Sequence, residues 1–174
     1  MIMKAAALVP VEEYLRTAYR PDRDYVDGEV LERNMGERDH GVLQRELILY
    51  FGTRLKSLGL HVFPETRVQM STKRFHIPDV CVTLDRPKEQ IFREPPFICI
   101  EVLSKDDTLL GMQDKIDDYL KFGVPNVWVI SPWNRRAWIY SSAGSREVKD
   151  GVLRTENPSF EIPLADLFAG RDGD

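Results

Sequence analysis

Apolar residues at Val11, Tyr14, Leu15 and Ala18 recur at helical spacing and predict a short amphipathic helix over Val11–Tyr19. Pro21 and the Asp/Arg cluster after it close that segment. From Tyr25 to Leu31 the pattern alternates around Asp27-Gly28, a dipeptide suited to a two-residue turn, so one short hairpin is expected. The longest helical stripe follows. Leu43, Leu47, Tyr50, Phe51, Leu55 and Leu58 mark one face of a helix predicted over Arg38–Leu58, and Gly59 stands where it should end.

The periodicity then shortens. Leu60–Met70 is strand-rich, with Pro64 marking an edge or a break. Three core strands are predicted at Ile77–Leu84, Phe97–Leu103 and Val127–Ser131. A helix from about Thr108 to Phe122, ended by Gly123 and Pro125, separates the last two. Short strands at Ala137–Tyr140, Arg146–Lys149 and Val152–Thr155 make up the tail, and a final helix over Leu164–Phe168 follows Pro163. The polar stretch Asp85–Pro96 reads as a loop that is mobile or lines a groove. No internal repeat or low-complexity linker interrupts this order. It implies an α/β fold of the mixed α+β kind, a mixed sheet with helices packed on it.

Size and composition narrow the picture. A chain of 174 residues suits one domain, 1–174, with a core over about 10–169. It is 43% hydrophobic and 30% charged, the balance of a globular protein. No apolar run approaches the roughly 20 residues that span a bilayer, and Met1–Pro10 lacks the features of a signal peptide. Cys81 and Cys99 both fall in apolar strands and read as buried thiols, so a cytoplasmic location is expected. The net charge of −4 provides no global basic field for nucleic acid, though a local basic groove remains compatible with it.

The candidate chemistry lies on the central strands. In Phe97–Leu103, residues 97, 99, 101 and 103 share one face and 98, 100 and 102 the other. Both faces are apolar apart from Glu101, so that carboxylate enters a hydrophobic interior, where an unpaired charge costs several kcal/mol. Two arrangements would compensate it: a structural salt bridge to an arginine, or a metal-binding or catalytic role. Pro78 lacks an amide donor and suits a strand start, which places Asp79 at the entrance of its strand. A Pro-Asp pair alone is equally at home in a turn. On the following helix Met112, Ile116, Tyr119 and Leu120 face inward. Lys115 flanks them, placed either to reach inward or to pair with Asp114 or Asp118 in solvent.

Taken in order, these residues resemble the Uma2 endonuclease family of the PD-(D/E)XK superfamily. The resemblance rests on Tyr25-Val26-Asp27-Gly28-Glu29, His40, Pro78-Asp79, and Glu101 within Ile-Glu-Val-Leu-Ser. It continues through Lys115, Tyr119, Gly123-Val124-Pro125 and the strand Val127–Pro132. It implies a restriction-endonuclease-like central mixed sheet flanked by helices, and a divalent-metal-dependent phosphodiesterase. Asp79 and Glu101 would bind Mg2+ or Mn2+, and Lys115 would orient the attacking water or neutralise developing charge. Glu29 would be the family's N-terminal acidic residue and complete the metal site; read from the residues alone it is equally a hairpin-turn glutamate in solvent. The common motif carries a lysine two residues after the acidic one; here that position is Leu103, and Lys115 matches the family's displaced lysine. His40 fits the family pattern, though a lone histidine at a helix start also reads as a cap or core contact.

The expected substrate is DNA, with RNA second, and a homodimer suits a duplex with two strands to cut. The alternative function is a non-catalytic module of the same fold that binds nucleic acid or a protein. Trp133 and Trp138 beside Arg135-Arg136 are expected at an interface, at a nucleic-acid contact, or in an ordinary hairpin corner.

Overall fold

The computed structural model describes residues 7–34 and 36–172, with the backbone alone for Arg171 and Asp172. Helix α1 (Val11–Arg16) is shorter than its stripe, because Thr17 turns extended and its hydroxyl donates back to the Glu13 carbonyl at 2.7 Å. Strands β1 (Asp24–Val26) and β2 (Glu29–Leu31) form the expected hairpin. Asp27 and Gly28 both have positive φ, 51° and 100°, as a turn matched to the twist of the two strands requires.

Helix α2 (Arg38–Leu49) is regular for 12 residues only. The chain then widens into a π-helical turn over Tyr50–Arg54 and tightens into a 3-10 turn over Lys56–Leu58 before the left-handed Gly59. Thr53 bonds back to the Leu49 carbonyl at 2.6 Å where the ladder changes. The stripe stays in phase through Leu43, Leu47 and Phe51, all buried, and the altered pitch then leaves Leu58 41% exposed.

Three strands, β3 (His61–Pro64), β4 (Val68–Ser71) and β5 (Arg74–His76), precede β6 (Val80–Thr83) and β7 (Ile98–Val102). The strand expected over Ile77–Leu84 is thus shorter, running only over Val80–Thr83. Across Ile77-Pro78-Asp79 the chain leaves one sheet and joins another, because Pro78 has no amide for either ladder. Helix α3 (Leu109–Phe122) is capped by the Thr108 hydroxyl, which accepts from Gly111 N at 3.1 Å, and ends on the left-handed Gly123. There follow β8 (Asn126–Ser131), β9 (Arg136–Ser141), β10 (Gly144–Glu147), β11 (Val152–Thr155), β12 (Phe160–Pro163) and helix α4 (Leu164–Asp172). Strand β12 adds to the expected tail strands: buried Phe160 and Ile162 alternate with exposed Glu161, and it pairs antiparallel with β11.

The main sheet has six strands in the order β10-β9-β8-β7-β6-β3, antiparallel except where β7 and β8 run parallel and α3 connects them. A four-stranded sheet, β2-β1-β5-β4, stands beside it. One face of the main sheet, through Val80, Ile98, Ile100, Val102 and Trp128, packs on α2, β11–β12 and α4. The other, through Cys81, Cys99, Val127 and Val129, packs on Ile116 and Tyr119 of α3. All five β7 residues are buried. Fully burying Ile98, Ile100 and Val102 contributes about 1.5–3 kcal/mol each, enough to carry one ionisable residue in the same strand. That residue is Glu101.

Trp138 lies opposite Glu147 across β9–β10, with the Arg136 guanidinium 5.1 Å from its ring and paired to Glu147 at 2.7 Å. This is a packed hairpin. The 85–96 loop is pinned by Phe92, whose amide and carbonyl bond Arg67 and Gln69. It lines a cavity of about 750 Å3 together with Thr83 and Phe97, which neither Asp79 nor Glu101 lines.

Candidate active site

The β6–β7 register pairs Val80 with Ile100, so the next rung brings Asp79 level with Glu101. Asp79 is buried at the sheet-to-sheet crossing. Its Oδ2 accepts from the Val102 amide at 2.7 Å and lies 3.3 Å from His40 Nε2; its Oδ1 accepts from Arg33 Nη2 at 3.0 Å. Burial alone would raise this carboxyl, but His40, Lys115 and the Val102 amide outweigh it and hold it below the ordinary range.

Glu101 points to the α3 side, as strand parity requires. The Tyr119 hydroxyl donates to Oε1 at 2.6 Å, and Lys115 Nζ lies 3.1 Å from Oε1 and 3.2 Å from Oε2. Burial pushes this carboxyl up to about 7. Lys115 and the Tyr119 hydroxyl pull it down, while the nearby Asp79 charge raises it further.

Lys115 also touches Asp24 Oδ2 at 3.2 Å. Its ammonium therefore bridges a carboxylate of the main sheet and one of the side sheet, and its side chain is only 14% exposed. Burial works against the charge, but Asp24, Glu101 and Asp79 together hold the ammonium well above the usual lysine range. Asp24 is held well below the carboxylate range by Lys115 first and then His76, against its own burial. Its Oδ1 accepts from the Ile77 amide at 2.8 Å, which ties the hairpin to the crossing.

Behind Asp24 the polar chain continues outward. His76 Nδ1 stands 3.4 Å from Asp24 Oδ2 and His76 Nε2 lies 2.8 Å from Asp118 Oδ2. Arg74 then joins Asp118 to Asp27, both at 2.6 Å. The cluster opens into a cleft of about 310 Å3, lined by Asp24, Asp79, Glu101, Lys115, Arg33 and His40 among others.

Three of the four residues singled out from the sequence, Asp79, Glu101 and Lys115, come together here. Glu29 does not. It is exposed on β2 beside the turn, opposite Val26, and does not line the cleft. The hairpin contributes Asp24 instead, because the base of β1 abuts the crossing whereas the turn end projects away from it. Asp24, Arg33, His76 and Asp118 escaped sequence reasoning. Each is an isolated polar residue whose partners in the cluster lie more than 40 positions away along the chain. His40, at a helix start, did carry a signal, and it sits on Asp79.

Among the described residues no group of three or more His, Cys, Asp or Glu side chains is arranged to hold a metal ion. Asp79 and Glu101, level with one another across β6–β7, bring carboxylate oxygens to a cleft that Asp24, Glu32, Asp106 and Asp107 also line. Such a set fits Mg2+ or Mn2+, which bind through one or two carboxylates and complete their shells with water and substrate phosphate.

A mixed sheet between helices, with buried acidic residues and a lysine meeting in a cleft, defines a restriction-endonuclease-like nuclease fold. The chain belongs to the Uma2 family, described as "Putative restriction endonuclease", which matches residues 11–167. A solved structure described as a putative nuclease belonging to DUF820, from Anabaena variabilis ATCC 29413, superposes with a TM-score of 0.78 at 22% identity. The match covers 91% of this chain and 97% of that one. The DrdV–DNA complex aligns over 78% of this chain and 13% of its own, at 18% identity and a TM-score of 0.34, below the level of a shared fold. No curated protein matches the sequence.

Proposed function

We propose that this protein is a divalent-metal-dependent endonuclease of the PD-(D/E)XK superfamily that hydrolyses phosphodiester bonds in DNA. The observation that carries the reading is the Lys115 ammonium held 3.1–3.2 Å from Glu101 and Asp24, in the same cleft as Asp79. Uma2 membership supports the nuclease chemistry. Asp79 and Glu101 would hold Mg2+ or Mn2+, which when bound lowers the pKa of water and stabilises charge on the phosphate.

The chain's own residues do the remaining work. Lys115 comes from α3 on the face that position 103 shares with Glu101, so its ammonium substitutes for a strand lysine at Leu103. There it orients a water against the phosphorus and offsets negative charge as the bond to the leaving oxygen lengthens. Asp24 and the Tyr119 hydroxyl fix that ammonium and the Glu101 carboxylate, which reduces reorganisation during the reaction. Packing buries Asp79 and Glu101 against apolar strands, which strengthens every charge interaction in the cleft. A single domain, a homodimer matched to the two strands of a duplex, and a reducing intracellular setting for the free thiols of Cys81 and Cys99 complete the proposal.

A second reading, an inactive module of the same fold, is favoured by the completeness of the ion pairing, since every carboxylate of the cluster already has a cationic partner. One experiment separates the two. The protein should nick plasmid DNA with Mg2+ or Mn2+, fall silent in EDTA, and lose activity as Glu101→Gln or Asp79→Asn. Millimolar Mn2+ should also raise the melting temperature of the wild type and of neither variant. EDTA-resistant nicking that survives Glu101→Gln would refute the mechanism, and DNA binding without cleavage or a Mn2+ shift would establish the inactive module.

A further inference from the structure

The described contacts of Asp79 divide unequally between its two oxygens. Oδ2 receives the Val102 amide at 2.7 Å and faces His40 at 3.3 Å, both from regular elements. Oδ1 receives Arg33 Nη2 at 3.0 Å. Arg33 belongs to the irregular connection between β2 and α2, outside any ladder. Its other anchoring carboxylate, Glu65, lies 3.9 Å from Nη1 and is half exposed, a contact of little strength. Yet the Arg33 side chain is only 14% exposed and lines the cleft. A buried cation is thus held chiefly by one oxygen of a carboxylate that the nuclease reading assigns to a divalent metal.

The geometry makes this arrangement exclusive. Both Asp79 oxygens already carry donors, and Arg33 Nη2 stands 3.0 Å from Oδ1, where a divalent cation would bind. A cation on Oδ1 would set the guanidinium against a second positive charge in a desolvated place. Moving the guanidinium outward relieves that, and a phosphodiester in the cleft offers it a planar pair of acceptor oxygens to which it is better matched than to one carboxylate oxygen.

Resting on the nuclease reading, we propose that Arg33 is an exchangeable counter-ion. It neutralises Asp79 while no divalent cation is bound, yields Oδ1 to the cation, and passes to a non-bridging oxygen of the DNA phosphate. Cation and DNA then bind cooperatively through this one side chain, each clearing the place the other needs. Arg33 in this role prevents a bare carboxylate cluster in the free protein and clamps substrate in the loaded one.

The test is calorimetric titration of Mn2+ into wild type, Arg33→Gln and Lys105→Gln, with and without a short phosphorothioate DNA duplex. Lys105 is 65% exposed and paired to Glu37, so it controls for the loss of one positive charge. Arg33→Gln should bind Mn2+ about tenfold more tightly than wild type without DNA, and the duplex should add much less affinity than it adds to wild type. Lys105→Gln should change Mn2+ affinity by less than about twofold. Unchanged Mn2+ affinity in Arg33→Gln, with binding that Glu101→Gln still weakens, would overturn the exchange and leave the metal site standing. Absence of Mn2+ binding in every protein would overturn the metal site and the exchange together. Should circular dichroism show Arg33→Gln unfolded, wild type decides: a duplex that fails to tighten Mn2+ binding overturns the proposal.

Discussion

Replacing Lys115 by Met keeps most of the side-chain volume and removes the one cation that Glu101 and Asp24 share. The ammonium meets three carboxylate oxygens at 3.1–3.2 Å with 14% of its side chain exposed, so screening by solvent offers little relief. Breaking a buried pair by deleting one partner costs about 3–5 kcal/mol when the surviving charge stays ionised. Here the survivors can escape in part. Glu101, already pushed up to about 7 by burial, takes a proton near neutrality, and Asp24 keeps the Ile77 amide and His76. The expected loss is therefore at the lower end, about 3 kcal/mol at pH 8, shrinking toward pH 5 as protonation removes the charge that Lys115 balances. Urea unfolding of both proteins at pH 5 and pH 8 reads the difference through the midpoint at constant slope. A gap that does not widen with pH, or a variant as stable as wild type, would show that Lys115 is a solvated charge and not the bridge between the two sheets.

His76, between Asp118 and Asp24, gives a separate pH dependence. Burial alone would lower its pKa, but the hydrogen bond to Asp118 and the charge of Asp24, 3.4 Å away, raise it above 6.5. The stability it adds is complete below its unfolded value of about 6.5 and is lost as pH rises through the raised folded value. Urea midpoints from pH 6 to 9 should fall in wild type and stay flatter in His76→Gln; parallel slopes would refute the assignment. Gly28→Ala tests the hairpin, because φ of 100° is unfavourable for any side chain and the new methyl would meet Leu8 at 3.1 Å. Leu8 is exposed and can move, so the backbone sets the cost at about 1–2 kcal/mol by urea unfolding; no loss would mean that the turn relaxes.

The sequence by itself determined the elements whose signal is local. The Asp27-Gly28 turn, the α3 helix with its glycine stop, and the all-buried β7 strand all follow from residues within a few positions of one another. Local pattern also put Asp79 at the entrance of its strand, beside Pro78, Glu101 within a buried strand, and Lys115 at the edge of the inward face of α3. Only the tertiary structure decided which partners these residues have. Asp24 rather than Glu29 enters the cluster because the base of the hairpin abuts the point where the chain changes sheets, a contact between residues 24 and 77 that no local pattern encodes. The pairing of β12 with β11 belongs to the same class. The charges follow the same division. Sequence pattern predicts that Glu101 is buried, but what it costs and what offsets it are set by Lys115, Asp79 and Tyr119, which folding alone brings within reach. Electrostatic energy depends on distance through space, and chain separation carries no record of it.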